Sequence, residues 1–478
     1  MFEPGGFIRL TENVSSDGQN IIFRRPVRVD ESGIAVSTGA GAGDIEFAAT
    51  LDSESGERNG LTIEAGTGDL VFGGAVGRDG SGFGAGSGFD DPEMGDITIT
   101  GAADVEIALG ITAASLTVDL TGTLTIADTT GEDDTADADV ILDGAFTQNG
   151  TGATIDIAGD IDTTADAGGT VNVAGAVTLT GNVRIDTDAD AGGGVTPNGT
   201  GAALSFGDSA TIAGSGGSGG PWNLTLNAPL ADVTFGAASG AGNGRIGGSG
   251  GATRLDTLTV EDADDVVFNG EVFVTDLTRS AGTGDATFEH ALDVENSVTL
   301  ISDGTVSSNG TVTAGTTFAL TVGGGFNVNG NIDAGADITT GTTITITSDT
   351  DGDGTGDLVV ADGVVIDSNG RDIELTLNDL DLNATGEIDA GGAVLTVDEA
   401  PAVGPATNSG ILIGDVASGA YGIEISGDEL SRMKATTVIV TAIVGEDLRI
   451  DGVTAPQSDA IGEVILDADD GGGSRIVF

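Results

Sequence analysis

The sequence predicts an all-β chain built as a β-solenoid, with rungs of about 20 residues and glycine-rich loops inserted between strands. Three observations carry that expectation. Glycine is extreme, at 83 of 478 residues, while aromatic residues make up only 4%. The turn dipeptide Asn-Gly recurs in one phase, and apolar residues form columns that keep the same phase.

The dipeptide begins at Asn269, Asn309, Asn329 and Asn369, so the step from Asn309 to Asn329 is repeated singly or doubled. Asn-Gly favours tight turns with positive φ, so a turn is expected once per step. One apolar column reads Leu258, Thr278, Val298, Phe318, Ile338 and Leu358. A second reads Val266, Ala286, Val306, Phe326, Ile346 and Ile366, and a third reads Val272, Leu292, Val312 and Ile332. Between the columns, apolar residues alternate with Thr, Ser, Asn or Asp, as in "TVSSNGTVTAG" (305–315) and "TTITITSD" (342–349). Such alternation marks a half-buried strand. Three columns imply three short strands per rung, with rungs stacked ~4.8 Å apart. A β-sandwich array would not hold this phase through successive rungs.

Elsewhere the pattern is looser. A motif of a turn acid, two strand residues and an inward Phe recurs as "GDIEF" (43–47), "GDLVF" (68–72), "ADVTF" (231–235), "DDVVF" (264–268) and "GDATF" (284–288). Glycine-rich stretches at 77–95 and 236–251 and an acidic stretch at 131–139 read as loops. The stretch "DEAPAVGPATNSG" (398–410) breaks the phase. The chain is therefore expected to comprise a main solenoid over 1–400, most regular over 250–389, and a terminal β-rich segment over 401–478.

Net charge is −61, from 76 acids against 15 bases, with Lys434 the single lysine. Nucleic acids and anionic membranes both require basic surfaces, so neither is expected as a partner. The acidity fits a solvated, self-repelling surface, calcium binding, or life in high salt, where cations screen the repulsion. There is no cysteine, which excludes disulfides, thiol catalysis and thiolate metal sites. No apolar run approaches the ~20 residues of a membrane helix, so no membrane insertion is expected. The opening "MFEPGGFIRLTENVSSDG" lacks the regions of a signal peptide, and the chain closes on the strand-like "SRIVF". Both favour a processed form or a piece of a longer protein.

"GLTIEAGTGDLVFGGAVG" (60–77) resembles a repeat of giant bacterial surface proteins of the filamentous-haemagglutinin and adhesin type. "ISGDELSRMKATTVIV" (425–440), followed by "GEDLRIDGV" (445–453), resembles another element of the same proteins. The resemblance covers about a quarter of the chain. It implies a right-handed parallel β-helix, an extracellular or cell-surface location, and a role in adhesion or in an extracellular layer or fibre.

The candidate site is "SDTDGDGTGDLVV" (348–360). Asp349, Asp351 and Asp353 occupy the first, third and fifth positions of a calcium loop. Gly354 supplies the sharp turn, Thr355 a carbonyl and Asp357 the ninth position. The bidentate acid of the twelfth position is missing: Val360 stands there, with Asp362 a substitute nearby. Calcium is therefore expected at low affinity, with Kd ~10⁻⁴–10⁻³ M. A solvated Asp/Gly turn explains the same residues. Position 352 falls where the third column should continue, so the loop is expected to replace a strand of that column. "DTDADAGGG" (186–194) and 131–139 hold carboxylates without ligand spacing and read as solvated loops.

Little else points to chemistry. Acid pairs stand at Asp90–Asp91, Asp264–Asp265 and Asp469–Asp470, and such pairs serve glycoside hydrolysis in some β-helices. At this composition they arise by chance. His290 is the single histidine, and it reads as a surface residue. Arg24, Arg25 and Arg28 form the one basic cluster, suited either to nearby acids or to another acidic copy. The sequence thus predicts no enzyme. It predicts an extracellular structural or adhesive protein that forms a homo-oligomer or filament, or presents loops to a cell-surface or polysaccharide partner.

Overall fold

Short runs in which every second residue is apolar or small become strands, and the buried residues alternate as the sequence does. Ile45–Phe47, Leu70–Phe72, Val233–Phe235 and Val266–Phe268 each bury their first and third residues and turn the second outward. The structure, a computed structural model, describes residues 6–77, 93–128, 139–163, 169–188, 201–215, 221–249, 253–334, 343–401, 410–414, 421–443, 446–468 and 475–478. They belong to two compact units, Met1–Asp264 and Asp265–Phe478. Both are all-β with parallel strand pairing. The two helices among the described residues are single turns, Gly427–Leu430 and Ala455–Ser458.

In the first unit, eight strands form one parallel sheet in which spatial order follows chain order. It runs from Ile21–Phe23 through Ile45–Phe47, Leu70–Phe72 and Val105–Ile107 to Thr123–Ile126, Thr154–Ile157, Ala176–Leu179 and Ile212–Gly214. Like stacks on like: Phe23 on Phe47 at 4.9 Å between ring centroids, and Phe47 on Phe72 at 5.6 Å. The recurring motif of a turn acid and an inward Phe is therefore one rung's contribution to an aromatic stack, worth ~0.5–1.5 kcal/mol per pair beyond burial. Rung length varies here, because the connecting loops differ, and no single period runs through this unit.

In the second unit the period holds where the corners are equal. Val266, Ala286, Val306 and Phe326 stack in register, one rung on the next, as do Val272, Leu292, Val312 and Ile332. All eight are buried. Strands Val272–Arg279 and Leu292–Ser302 are long enough to serve two neighbouring ladders. Leu292–Ser302 pairs with both Val312–Ala314 and Thr317–Val322. This joins the ladders into one hydrogen-bonded network.

Beyond Phe326 the expected columns change. Phe326 stacks on Leu358 rather than on Ile346, and Leu358 stacks on Leu380. Leu358 thus belongs to the second column, not the first. The first column passes from Phe318 to Ile344, Ile346 pairs with Leu320 two residues further along the same strand, and Ile366 pairs with Ile332 in the third column. The first column runs through Leu277, not Thr278. A bulge between Val274 and Asp276 shifts the register there, and Leu277 packs on Val298. Ile338 lies outside the described residues. The acidic stretch 348–356 therefore replaces no third-column strand; it is inserted at the corner between Ile344–Thr347 and Asp357–Val360.

Of the expected break at 398–410, Asp398 and Glu399 still belong to the strand Val394–Glu399, and 402–409 lie outside the described residues. Downstream, Met433–Ala442 pairs with Val394–Glu399 and carries Ile461–Ala468 on its other side. A four-stranded sheet gathers Ile423–Ile425, Ile411–Gly414, Asp447–Asp451 and Arg475–Val477.

Candidate functional site

One rung below the acidic corner, Gly323, Gly324 and Gly325 alone link Thr317–Val322 to Phe326–Val328. At the next rung the same corner is drawn out into a loop. Ser348 is buried and its hydroxyl donates to the Gly356 carbonyl, which closes the base of the loop. The Thr350 N–H donates to the Val322 carbonyl at 3.2 Å and ties the loop to the rung below. Asp349, Gly352 and Gly354 take positive φ of 55°, 68° and 85°. The glycines meet this at little cost, whereas Asp349 does so under steric strain.

This backbone brings Asp349, Asp351 and Asp353 together, with one carboxylate oxygen of each within 4.8 Å of the others. Asp349 is 3% exposed and the other two are exposed. Each spends its Oδ1 on a backbone N–H: Gly354 donates to Asp349 at 3.1 Å, Asp353 to Asp351 at 3.3 Å and Thr355 to Asp353 at 2.9 Å. Burial pushes the Asp349 carboxyl above its ordinary range; the Gly354 N–H opposes this, and the charges of Asp351 and Asp353 add to it. Three carboxylate oxygens this close together form a group that could hold a metal ion.

The remaining expected ligands are engaged elsewhere. The Thr355 carbonyl accepts the Asp357 N–H at 3.1 Å, while its hydroxyl donates to Asp353 Oδ1 at 2.6 Å. Asp357 opens the next strand, where it accepts from Asn378 Nδ2 at 2.8 Å and stands in register with Asp379. Burial raises the Asp379 carboxyl to about 6; hydrogen bonds from the Glu424 and Leu380 N–H groups resist, while Asp357 and Glu429 add to the rise. Asp362 accepts from the Thr385 N–H at 3.1 Å, and Val360 is fully buried in the core.

A second group of acids, in the first unit, was not anticipated. Asp162 and Asp186 stand directly opposite each other in a ladder and are 8% and 7% exposed. Asp186 is saturated: Asn227 Nδ2 donates at 3.0 Å, the Asp188 N–H at 2.8 Å and Arg184 Nη2 at 2.8 Å. Arg184 also pairs with Glu261. Asp162 Oδ1 is buried without a hydrogen-bond partner. Burial lifts the Asp162 carboxyl to about 8; Asp186, Asp188 and Asp160 reinforce the rise, and Arg184 opposes it. The reading of 186–194 as a solvated loop is thus corrected at its first residues: Asp186 ends the strand Val183–Asp186 and Thr187 is buried. At 131–139, Asp139 is likewise buried, and 131–138 lie outside the described residues. The missed signal was a near-repeat, "IDTTADAGG" (161–169) against "IDTDADAGG" (185–193), which places like acids on like rungs.

Many other acids act as staples. Asp44 Oδ1 accepts the Asp69 N–H at 3.1 Å, and Asp69 accepts the Asp104 N–H at 3.2 Å. Asp265 accepts the Asp285 N–H, and Asp285 accepts the Thr305 N–H, both at 2.7 Å. At a corner the backbone ladder lapses, and a carboxylate one rung back satisfies the orphan donor. The acid pair Asp264–Asp265 belongs to this system; Asp90–Asp91 and Asp469–Asp470 lie outside the described residues. His290 is half-buried at the corner between Ala286–Phe288 and Leu292–Ser302.

No family model, curated protein or solved structure matches this chain. Among the described residues, no helix is long and apolar enough to cross a membrane.

Proposed function

We propose that the chain is an extracellular structural and adhesive protein, a right-handed parallel β-solenoid that serves as a subunit of a cell-surface fibre or layer. It self-assembles through strand edges. The observation that carries this reading is the ladder order: strands stack rung on rung in chain order, and the outermost ones have a partner on one side. Among the described residues, Ile8–Leu10 and Ile21–Phe23 in the first unit and Ile461–Ala468 and Arg475–Val477 in the second each pair with one strand. Bare edges invite a further strand. The resemblance of 60–77 and 425–440 to adhesin-type repeats supports the surface location. The widespread use of acids as corner staples supports a structural rather than an enzymatic role. On this reading the Asp349, Asp351 and Asp353 cradle takes calcium, which secures an inserted corner.

Electron microscopy of the purified chain tests the reading. Uniform filaments or sheets are expected. Dispersed single particles at every salt and protein concentration would remove the fibre and leave the passenger stalk of a larger adhesin, which presents loops to a cell-surface or polysaccharide partner. Turnover of a polysaccharide that disappears on changing Asp264 or Asp265 would instead establish a lyase or hydrolase.

A further inference from the structure

In a chain with 76 acids and 15 bases, an unpaired arginine is unexpected. Arg9, Arg58, Arg184, Lys434, Arg449 and Arg475 all hold carboxylates. Arg28 lies over the Phe7 ring, 4.3 Å from its centroid. Arg24 and Arg25 differ: both are exposed, and neither makes an ion pair or hydrogen bond among the described residues. They sit at the corner between Ile21–Phe23 and Val27–Val29. The same corner on the following rungs holds Ala48 and Ala49, then Gly73 and Gly74. Among the described residues, these corners thus place no acid beside the pair. Next to it, Ile22 is 41% exposed on a strand that pairs on one side only among the described residues.

The opposite chemistry lies on Ile461–Ala468. This strand pairs only with Met433–Ala442 among the described residues. Its Glu463 and Asp467 are exposed and make no ion pair or hydrogen bond there. Between them, Val464 and Ile465 are 39% and 41% exposed. Val464 continues the buried ladder position of Val438, yet no described residue covers it fully. Among the described residues, one surface offers two free cations beside an apolar residue and a bare edge; the other offers two free anions, two apolar residues and a bare edge.

We infer that Arg24 and Arg25 dock Glu463 and Asp467 of a second copy, so that copies associate head to tail. The inference rests on the assembly reading above and names its interface. Two copies of charge −61 repel at long range, but the Debye length is ~8 Å at 0.15 M salt. Moderate salt therefore screens the global repulsion, while close pairs beside apolar contacts keep their attraction. A heterologous contact of this kind repeats from copy to copy, in a closed ring or in an open filament.

The test uses full-length chains and sedimentation velocity at moderate salt. The wild type is expected to associate. R24E/R25E alone and E463R/D467R alone are each expected to lose ~10-fold or more in affinity. Mixed in equal amounts, the two variants are expected to regain it, because every junction in an alternating chain is again complementary. Circular-dichroism spectra and melts matching the wild type show that each variant is folded, and recovery in the mixture guards against any residual defect. Association of either variant at wild-type affinity, or a mixture that stays dissociated, overturns the inference while leaving edge assembly standing. In the second case the arginines serve some other anion. A wild type that never associates overturns both.

Discussion

Asp162 in the first unit and Asp349 in the second are both buried carboxylates whose protons are held more tightly than usual because water is withdrawn. They differ in what surrounds them. The neighbours of Asp162 are Asp186, itself buried, and Arg184, already shared by Asp186 and Glu261. Burial and the neighbouring acids favour a proton on that carboxyl. The neighbours of Asp349 are two exposed aspartates on a glycine-jointed loop, and a cation from solvent can reach them. Burial of the first acid is set by the ladder, and that of the second by one corner. The same residue type is thus a proton store in one place and a candidate cation ligand in the other.

The largest expected effect breaks the first half of that contrast. The unfolded chain releases the Asp162 proton near pH 4, whereas the folded chain holds it to about pH 8. Between those values the native state binds the extra proton. The contribution of this group is therefore fully present below about pH 4, is lost as pH rises, and levels off above the folded value. The slope reaches about 1.4 kcal/mol per pH unit for one fully linked proton. Asp162→Asn removes the titration. Denaturant unfolding from pH 5 to 9 is expected to show the wild type losing several kcal/mol relative to the variant. Parallel curves would mean that Asp162 is ionised in the fold and that the cluster is solvated.

The second prediction sharpens the other half. With Kd ~1 mM, 5 mM calcium stabilises the native state by about 1 kcal/mol. Calcium must displace the proton that burial favours on Asp349, so the gain is expected to shrink as pH falls. Thermal melts with chelator, with calcium and with matched magnesium measure it, and Asp351→Ala is expected to abolish it. An equal rise with magnesium, or a rise that survives Asp351→Ala, would make the corner an acidic turn.

The contrast also shows what the sequence could reveal. Columns through Val266 and Val272 were legible because every corner from 266 to 334 spends the same length of chain. After Ile332 a longer rung carried Ile346 and Ile366 into other columns, and counting by one fixed step then misplaced the acidic corner. The Asp349, Asp351 and Asp353 trio was nonetheless legible, since its spacing is local. The Asp162 cluster was not, because it is assembled by the register of Ile161–Thr163 on Val183–Asp186, in a unit whose rungs differ in length. A column search at one fixed period passes over it, although the near-repeat of "IDTTADAGG" marks the place.

The smallest predicted effect concerns the acids that do neither job. Asp285 is exposed, and its Oδ1 accepts the Thr305 N–H of the next rung at 2.7 Å. Asp285→Ala deletes that acceptor and should cost roughly 0.5–1 kcal/mol, at the low end for a hydrogen bond because water can replace it. Asp285→Asn keeps an acceptor oxygen. Both variants remove one negative charge from a chain at −61, so any relief of repulsion is common to the two. The difference between their denaturation midpoints therefore isolates the staple. Equal midpoints would mean that the carboxylate at this corner serves solubility alone. A clear gap, with Asn the more stable, would mean that much of the chain's acidity is spent on joining one rung to the next rather than on binding ions.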